Sequence, residues 1–257
     1  MRGLPSNKEW EVWGEIDPLF GVATWKGKEK DGTNPWTTDE FYEAGRADWS
    51  SYKSHWEKYG LNSGSCLEIG CGAGRITMTL ATYFDRVHAV DISQRMIEYA
   101  SQYIASETVI FHLSDGIEIP LESDAVDAVF STFVFQHLDS LEIGARYFKE
   151  IARVMRPDGS LMIHVPVYQW PAMPKYFDLI YRGRRLAGDA RALIKRRMID
   201  SGLNIKMMRG TIYPTEFFYE QLPKLGLTDI ELSFFRVGDS GAPASFVFAR
   251  KNPVGRR

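Results

Sequence analysis

A strand, a glycine-rich turn and a helix follow one another over residues 65–84, and this unit limits the fold more than any other stretch. An apolar run leads into three alternate glycines, Gly70, Gly72 and Gly74, after which apolar residues recur at helical spacing. Glycine permits a tight turn and lets a ligand approach the backbone, while the start of the next helix offers unpaired N–H groups. The unit therefore predicts a ligand site at the end of a buried strand.

The spacing of the glycines discriminates between ligands. A dinucleotide fingerprint, G-x-G-x-x-G, would need glycine at position 75, where this chain has Arg75. The pattern is instead acidic-x-Gly-x-Gly-x-Gly, starting at Glu68. This form resembles the first motif of the class I S-adenosylmethionine-dependent methyltransferases.

Two further carboxylates strengthen the resemblance. Asp91 ends a predicted strand at 86–91, where a carboxylate can accept hydrogen bonds from both hydroxyls of a ribose, as it also does in NAD sites. Asp115 follows a predicted strand at 108–113, and the resemblance implies that it accepts a hydrogen bond from the adenine amino group. Runs similar to later motifs of the family then follow in the family's order, at 120–130, 135–138 and 154–159.

The resemblance implies S-adenosylmethionine as the cofactor. The residues that we expect to bind it are Arg46, Glu68, Gly70, Cys71, Gly72, Gly74, Arg75, Asp91, Ile92, Asp115, Gly116 and Ser131. Arginine suits a carboxylate because its planar fork donates two bonds. Each arginine also has an interpretation without cofactor binding. Arg46 could face solvent, and Arg75 could form a salt bridge to a neighbouring acid.

Alternation of elements predicts an α/β fold with a parallel sheet covered by helices on both faces. We expect helices near 74–84, 93–105 and 138–155, with strands near 65–70, 86–91, 108–113, 126–132 and 159–165. A capped helix should run from Thr37 to Gly60, and another should start at a Thr215 cap. Strand-like runs at 225–235 and 244–249 are similar to the family's final hairpin, so the resemblance implies a Rossmann-like sheet of seven mostly parallel strands.

The chain divides into a core and two additions. We expect the methyltransferase core over 38–165 and 211–257. Residues 1–37 carry four tryptophans among charged residues, which predicts a segment packed on the core, either as an N-terminal wrap or as a flap over the substrate. Residues 166–210 do not fit the plain fold and predict a basic helical cap inserted over the substrate site.

The charge of the predicted cap leaves several interpretations open. Nine Lys or Arg and two Asp lie between 182 and 209, although the whole chain has a formal charge of −2. The basic stripe is either a solvated face, a surface that steers an anionic acceptor, or a peripheral contact with anionic lipid. We expect no nucleic acid as a partner, since no accessory RNA-binding module and no long basic tail is present.

The composition of the chain limits its expected cellular location and its use of disulfides and metals. No run of 18 apolar residues occurs, which predicts no transmembrane segment, and the start of the chain does not resemble a signal peptide. Cys66 and Cys71 are the only cysteines, too few for a disulfide framework or a cysteine-based metal site. These features favour the cytoplasm. We expect no metal, and the oligomeric state is not encoded in any pattern that we find.

Methyl transfer from a sulfonium needs an aligned nucleophile and, for a hydroxyl, a base. His137 follows the fourth predicted strand and is the candidate base, because histidine titrates near neutral pH; a structural histidine is the alternative. His164, Tyr168 and Tyr213 are candidates for binding the acceptor. The sequence predicts O-methylation of a small hydroxylated acceptor, with an anionic one included. The alternatives are N-methylation of a small amine and a non-catalytic S-adenosylmethionine-binding protein.

Overall fold

A computed structural model describes residues 4–168, 211–237 and 242–253. Its helices are α1 (Pro5–Ile16), α2 (Pro18–Val22), α3 (Thr38–Tyr59), α4 (Thr77–Tyr83), α5 (Gln94–Tyr103), α6 (Leu141–Val154) and α7 (Thr215–Gln221). Its strands are β1 (Ser65–Ile69), β2 (Arg86–Asp91), β3 (Val109–Leu113), β4 (Val126–Ser131), β5 (Met155–His164), β6 (Val167–Tyr168), β7 (Tyr213–Pro214), β8 (Leu227–Val237) and β9 (Ala242–Lys251). Short 3-10 helices cover Phe135–His137 and Pro223–Leu225.

Seven strands form one sheet in the order β3-β2-β1-β4-β5-β9-β8. The first five are parallel, and β9 runs antiparallel to both β5 and β8. The predicted fold class, a mostly parallel Rossmann-like sheet that ends in an antiparallel hairpin, is therefore confirmed. In such a sheet the ligand crevice lies beyond the carboxyl ends of the parallel strands.

The sheet is buried on both faces because its central strands carry apolar residues on each side. On β1, Leu67 and Ile69 belong to a core cluster shared with α6 and α7, whereas Cys66 belongs to a cluster shared with α3 and α4. Every residue of β1 is buried. Continuous burial of this kind is typical of a parallel strand covered by helices on both sides.

Helix α3 confirms the predicted start and end signals. Thr37 and Glu40 form a reciprocal capping box, and Gly60 closes the helix in the left-handed conformation with φ of 107°. The predicted cap at Thr215 is wrong: α7 begins at that residue, and Pro214 occupies the cap position without a side-chain hydrogen bond.

Strand β5 starts earlier than the predicted residue 159. Helix α6 passes directly into it at Met155, which pairs with Val126 across an irregularity in the β4 register. Almost all of the predicted cap, 169–210, lies outside the described residues. Among the described helices, none is both long enough and apolar enough to span a membrane.

Candidate active site

A cavity of about 550 Å³ opens at the carboxyl ends of β1, β2 and β4. Gly70 and Gly72 line it from the turn after β1, Asp91 and Ile92 from the end of β2, and residues 132–134 from the segment after β4. Three neighbouring strand ends thus contribute to one site, as the parallel topology requires.

The turn after β1 can be made only by glycine. Gly70 has φ of 74° and Gly72 has φ of 52°, and a Cβ at Gly70 would lie 2.2 Å from Val134 Cγ2. The amides of Gly70 and Cys71 both donate to the Val90 carbonyl, at 2.7 and 3.1 Å. A Cβ at Gly72 would likewise lie 2.6 Å from Val22 Cγ2. The backbone is therefore fixed against β2, and neither position has room for a side chain of its own.

The other two predicted members of the turn face away from the cavity. Gly74, with φ of 82°, packs against α5, where a Cβ would lie 2.5 Å from Ile104 Cδ1. Cys71 is buried, and desolvation raises the pKa of its thiol well above the usual value, which keeps it protonated and unreactive.

Asp91 ties the turn to the end of β2. Its Oδ2 accepts the Gly72 amide at 2.8 Å and its Oδ1 accepts the Ser93 amide at 2.9 Å. Burial raises the pKa of this carboxyl, and the backbone donors oppose that rise. Each oxygen keeps a lone pair beyond these bonds, so the carboxylate can accept further donors from the cavity that it lines.

Glu68 lies below the turn and does not line the cavity. Its Oε2 accepts the Thr77 hydroxyl at 2.6 Å, and burial raises its pKa from 4.5 to about 7. Ser131 is also buried behind the cavity wall, where its hydroxyl donates to the Ile69 carbonyl at 2.9 Å. Both side chains hold strand ends in place.

The Glu68 carboxyl should make stability fall as pH rises. Between pH 4.5 and about 7 the unfolded chain releases a proton that folded Glu68 retains, so the free energy of unfolding declines across this window and stays low above it. Glu68→Gln should remove this decline and raise the free energy of unfolding at pH 8 by up to about 3 kcal/mol. Denaturant unfolding of the wild type and of Glu68→Gln at pH 4.5 and 8 measures these free energies.

Glu150 provides the control for that prediction. Arg153 lowers the pKa of Glu150, so Glu150→Gln should reduce stability at pH 8 and leave the decline between pH 4.5 and 7 in place. An unchanged pH dependence in Glu68→Gln would contradict the assignment of the decline to Glu68.

Arg75 and Asp48 form a buried ion pair in the cavity wall. Both residues line the cavity, and the Arg75 guanidinium contacts the Asp48 carboxylate. Their exposed fractions are only 6% and 8%. Gly45 lets α3 approach this closely, since a Cβ there would lie 1.9 Å from the Arg75 carbonyl oxygen.

Arg46 is not brought to the cavity. Its side chain is half exposed, and its guanidinium pairs with Glu43 on the preceding turn of α3. The predicted Gly45–Arg46 step therefore contributes its glycine to the site, and the solvent-facing interpretation of Arg46 describes its position.

Asp115 and Gly116 lie beside the main cavity without lining it. Asp115 Oδ1 accepts the amides of Ile117 and Glu118, both at 2.9 Å, and the residue lines a second cavity of about 430 Å³. Asn7 covers this loop from α1, donating from Nδ2 to the Asp115 carbonyl at 2.7 Å. The adenine-binding role of Asp115 stays a prediction.

The N-terminal helices form one wall of the cavity. Ser6 and Trp10 of α1 line it together with residues 21–25 of α2 and the segment after it. Ser6 donates to Asp139 at 2.8 Å, and Glu11 accepts the Ser93 hydroxyl at 2.8 Å. Sequence analysis missed these contacts because the aromatic residues of 1–37 show no regular period.

His137 lines the cavity from the short 3-10 helix after β4. Its ring meets the Trp10 ring edge to face, with centroids 5.1 Å apart. Gln136 Nε2 lies 3.1 Å from His137 Nε2, and since an amide nitrogen can only donate, this ring nitrogen accepts. The imidazole is thus placed as a hydrogen-bond acceptor inside the cavity.

The predicted acceptor-binding residues occupy different positions. His164 is buried behind Phe133, whose ring lies 4.5 Å away and lines the cavity; burial, helped by His137, lowers the pKa of His164 to about 4. Tyr213 is fully buried in the core beside Phe135 and does not reach the cavity. The backbone of Tyr168 pairs with Pro214 in the β6–β7 ribbon. Over the described part of the chain, no group of three or more His, Cys, Asp or Glu could hold a metal ion.

Comparison with known proteins agrees with this geometry. A family model described as a methyltransferase domain matches residues 67–163. A malonyl-[acyl-carrier protein] O-methyltransferase of Hahella chejuensis is 35% identical over 98 residues, 37% of this chain and 34% of that protein. The enzyme of the same name from Brevibacillus brevis is 28% identical over 177 residues, 66% of this chain and 56% of that protein. The chain thus spans about a third to a little over half of these relatives.

Solved structures share the fold across nearly the whole chain. A Haloferax volcanii methyltransferase, solved with its Trm112 activator, has a TM-score of 0.59 at 13% identity, covering 98% of this chain and 99% of that one. The N-methyltransferase NodS of Bradyrhizobium japonicum, solved with S-adenosylhomocysteine, has a TM-score of 0.55 at 16% identity, covering 96% and 98%. At such identities the likeness concerns the fold alone.

Proposed function

Because the chain carries a class I S-adenosylmethionine-dependent methyltransferase domain, we propose that it transfers a methyl group to an oxygen atom of a small hydroxylated acceptor. The observation that carries the proposal is a single cavity lined by the glycine turn, the Asp91 carboxylate and the His137 imidazole. The relatives named as malonyl-[acyl-carrier protein] O-methyltransferases support oxygen as the receiving atom.

The residues of the cavity fit the cofactor. A volume of about 550 Å³ is within the usual range for a site that encloses a small molecule. Gly70 and Gly72 line the cavity with backbone alone, which permits close approach of a ligand. The remaining lone pairs of Asp91 suit two ribose hydroxyls, and Arg75 suits a carboxylate. When bound, S-adenosylmethionine supplies an electrophilic methyl group on a sulfonium.

His137 would act on the acceptor rather than on the cofactor. A hydroxyl oxygen must lose its proton as it bonds to carbon. The contact from the Gln136 amide to His137 Nε2 supports this ring nitrogen as the atom that takes the proton. Gln136 occupies this lone pair with its amide in the structure, so an acceptor hydroxyl would take the place of that donor. The Trp10 ring packs edge to face against the imidazole.

The segments that flank the core belong to the same proposal. Residues 1–37 act as a flap, which the cavity contacts of Ser6, Trp10 and Trp25 support. The positive charge of the basic segment at 182–209 steers an anionic acceptor toward the site. A small molecule is the partner that a cavity of about 550 Å³ favours.

Two measurements test the proposal. Calorimetry should show one S-adenosylhomocysteine bound per chain, and an absence of binding would contradict the whole assignment. Labelled S-adenosylmethionine is then offered with phenol, benzoate, aniline and malonyl-pantetheine, and also with a metabolite extract. Labelling of a hydroxyl or carboxylate supports O-methylation, labelling of amines alone supports the N-methylation alternative, and binding without any transfer supports a non-catalytic role.

A further inference from the structure

The ion pair between Arg75 and Asp48 presents two opposite charges to one end of the cavity. Both side chains line the cavity, and both are more than nine-tenths buried. A buried pair is usually enclosed by protein on all sides, because water removed from either charge must be replaced by other polar contacts. Here part of each surface faces a space that a ligand would fill.

The pair joins two separate parts of the chain. Arg75 lies in the turn that follows the glycines, two residues before α4 begins at Thr77. Asp48 lies on α3, outside the region of 67–163 that matches the family model. Gly45 holds α3 against the Arg75 backbone, and Tyr52, one turn beyond Asp48, bonds to the cavity residue Thr132 at 3.2 Å. Helix α3 therefore fixes Asp48 rigidly at this end of the site.

The charges of the pair decide which ligand group fits beside it. A ligand that carries only a carboxylate would meet Arg75 but would also bring its charge next to the Asp48 carboxylate, and like charges at such distances repel. A group with both an ammonium and a carboxylate can place each beside its opposite charge. Such a group leaves the net charge of the buried site unchanged, which avoids an uncompensated charge.

We propose that Asp48 is a specificity-determining residue that binds the α-ammonium group of the cofactor's amino acid while Arg75 binds its α-carboxylate. The inference rests on the proposed function, since it concerns the same cofactor. It makes the Arg75–Asp48 pair the feature that selects an adenosine bearing an amino acid over adenosines that lack one.

Three thioether ligands separate the two contacts. S-adenosylhomocysteine carries both charged groups, S-adenosyl-3-thiopropylamine keeps only the amine, and 5′-methylthioadenosine has neither. Calorimetry with each ligand is performed on the wild type, Asp48→Asn, Arg75→Gln and the double variant. Asp127→Asn is the control, because it breaks an arginine–aspartate pair at the opposite end of the sheet, where Arg156 Nη1 lies 2.9 Å from Asp127 Oδ2.

Asp48→Asn should lower the affinity for both amine-bearing ligands by about 10–100-fold. The affinity for 5′-methylthioadenosine should change by less than about threefold. Arg75→Gln should lower the affinity for S-adenosylhomocysteine by a similar factor. The affinity for S-adenosyl-3-thiopropylamine, which has no carboxylate, should stay nearly unchanged. The double variant should bind all three ligands with similar affinity. Because each variant is compared with itself across ligands, a general loss of stability does not imitate this pattern.

The inference would be overturned if Asp48→Asn lowered the affinity for all three ligands equally, or for none of them. Either result would leave the proposed function in place. A wild-type chain that binds none of the ligands would overturn both. Asp127→Asn should leave all three affinities within about threefold of the wild type.

Discussion

Asp91→Ala is expected to weaken S-adenosylhomocysteine binding by at least about 100-fold. A hydrogen bond to a charged acceptor contributes about 1.5–3 kcal/mol, and the carboxylate has room for both hydroxyls of a ribose, so the combined loss is about 3–6 kcal/mol. Calorimetry should show a higher dissociation constant, while the number of ligands bound per folded chain stays at one.

The variant also removes two structural contacts, and the experiment has to separate them from ligand binding. Asp91 accepts the amides of Gly72 and Ser93, so its loss should lower the melting temperature. Asp127→Ala is the matched control, because Asp127 accepts the Ser65 amide at 2.8 Å at the amino end of the sheet. Asp127→Ala should lower the melting temperature without lowering the affinity for S-adenosylhomocysteine. Unchanged affinity in Asp91→Ala would refute the ribose role.

The sequence predicted the part of the site that follows from backbone geometry. Glycines at alternate positions after an apolar run have few structural explanations, and a carboxylate at a strand end is placed by the parallel topology itself. Gly70, Gly72 and Asp91 therefore reach the cavity from their positions in the chain alone.

Side-chain direction was harder to predict. Arg46 and Arg75 are both arginines beside a glycine, yet one points to solvent and pairs with Glu43 while the other is buried in the cavity wall. The choice depends on how α3 packs on the glycine turn, which is a contact distant in sequence. Asp48 escaped notice for the same reason, since one acid on a helix that also carries aromatic residues has no distinctive pattern.

The wall formed by α1 and α2 also depends on distant contacts. Trp10 packs on His137, and Trp36 donates from Nε1 to the Ala23 carbonyl at 2.8 Å. Such contacts bury aromatic rings without a helical or strand period, so periodicity predicts that the segment packs but not where. The contact with Trp10 covers one side of the His137 ring at the cavity, which supports its candidacy as the base.

His137→Ala should lower kcat for a hydroxyl acceptor by about 10²–10⁴, the usual contribution of a general base. The affinity for S-adenosylhomocysteine should stay within about threefold, because the proton transfer involves the acceptor alone. In the wild type, kcat/KM should rise with pH as the essential base loses its proton, and this dependence should be absent from His137→Ala. His137→Gln should behave like alanine in kcat, since glutamine accepts a hydrogen bond but does not take a proton at neutral pH.

The comparison with a second histidine and a second acceptor makes this test decisive. His88→Gln alters an imidazole whose Nδ1 lies 3.0 Å from His112 Nε2, away from the cavity, and it should leave kcat unchanged. A neutral amine attacks through its lone pair and can lose its proton after the transfer, so an amine acceptor should be affected much less than a hydroxyl by His137→Ala. Full turnover of the hydroxyl acceptor in His137→Ala would remove His137 from the mechanism, and equal losses for both acceptors would indicate a role in positioning rather than in proton transfer.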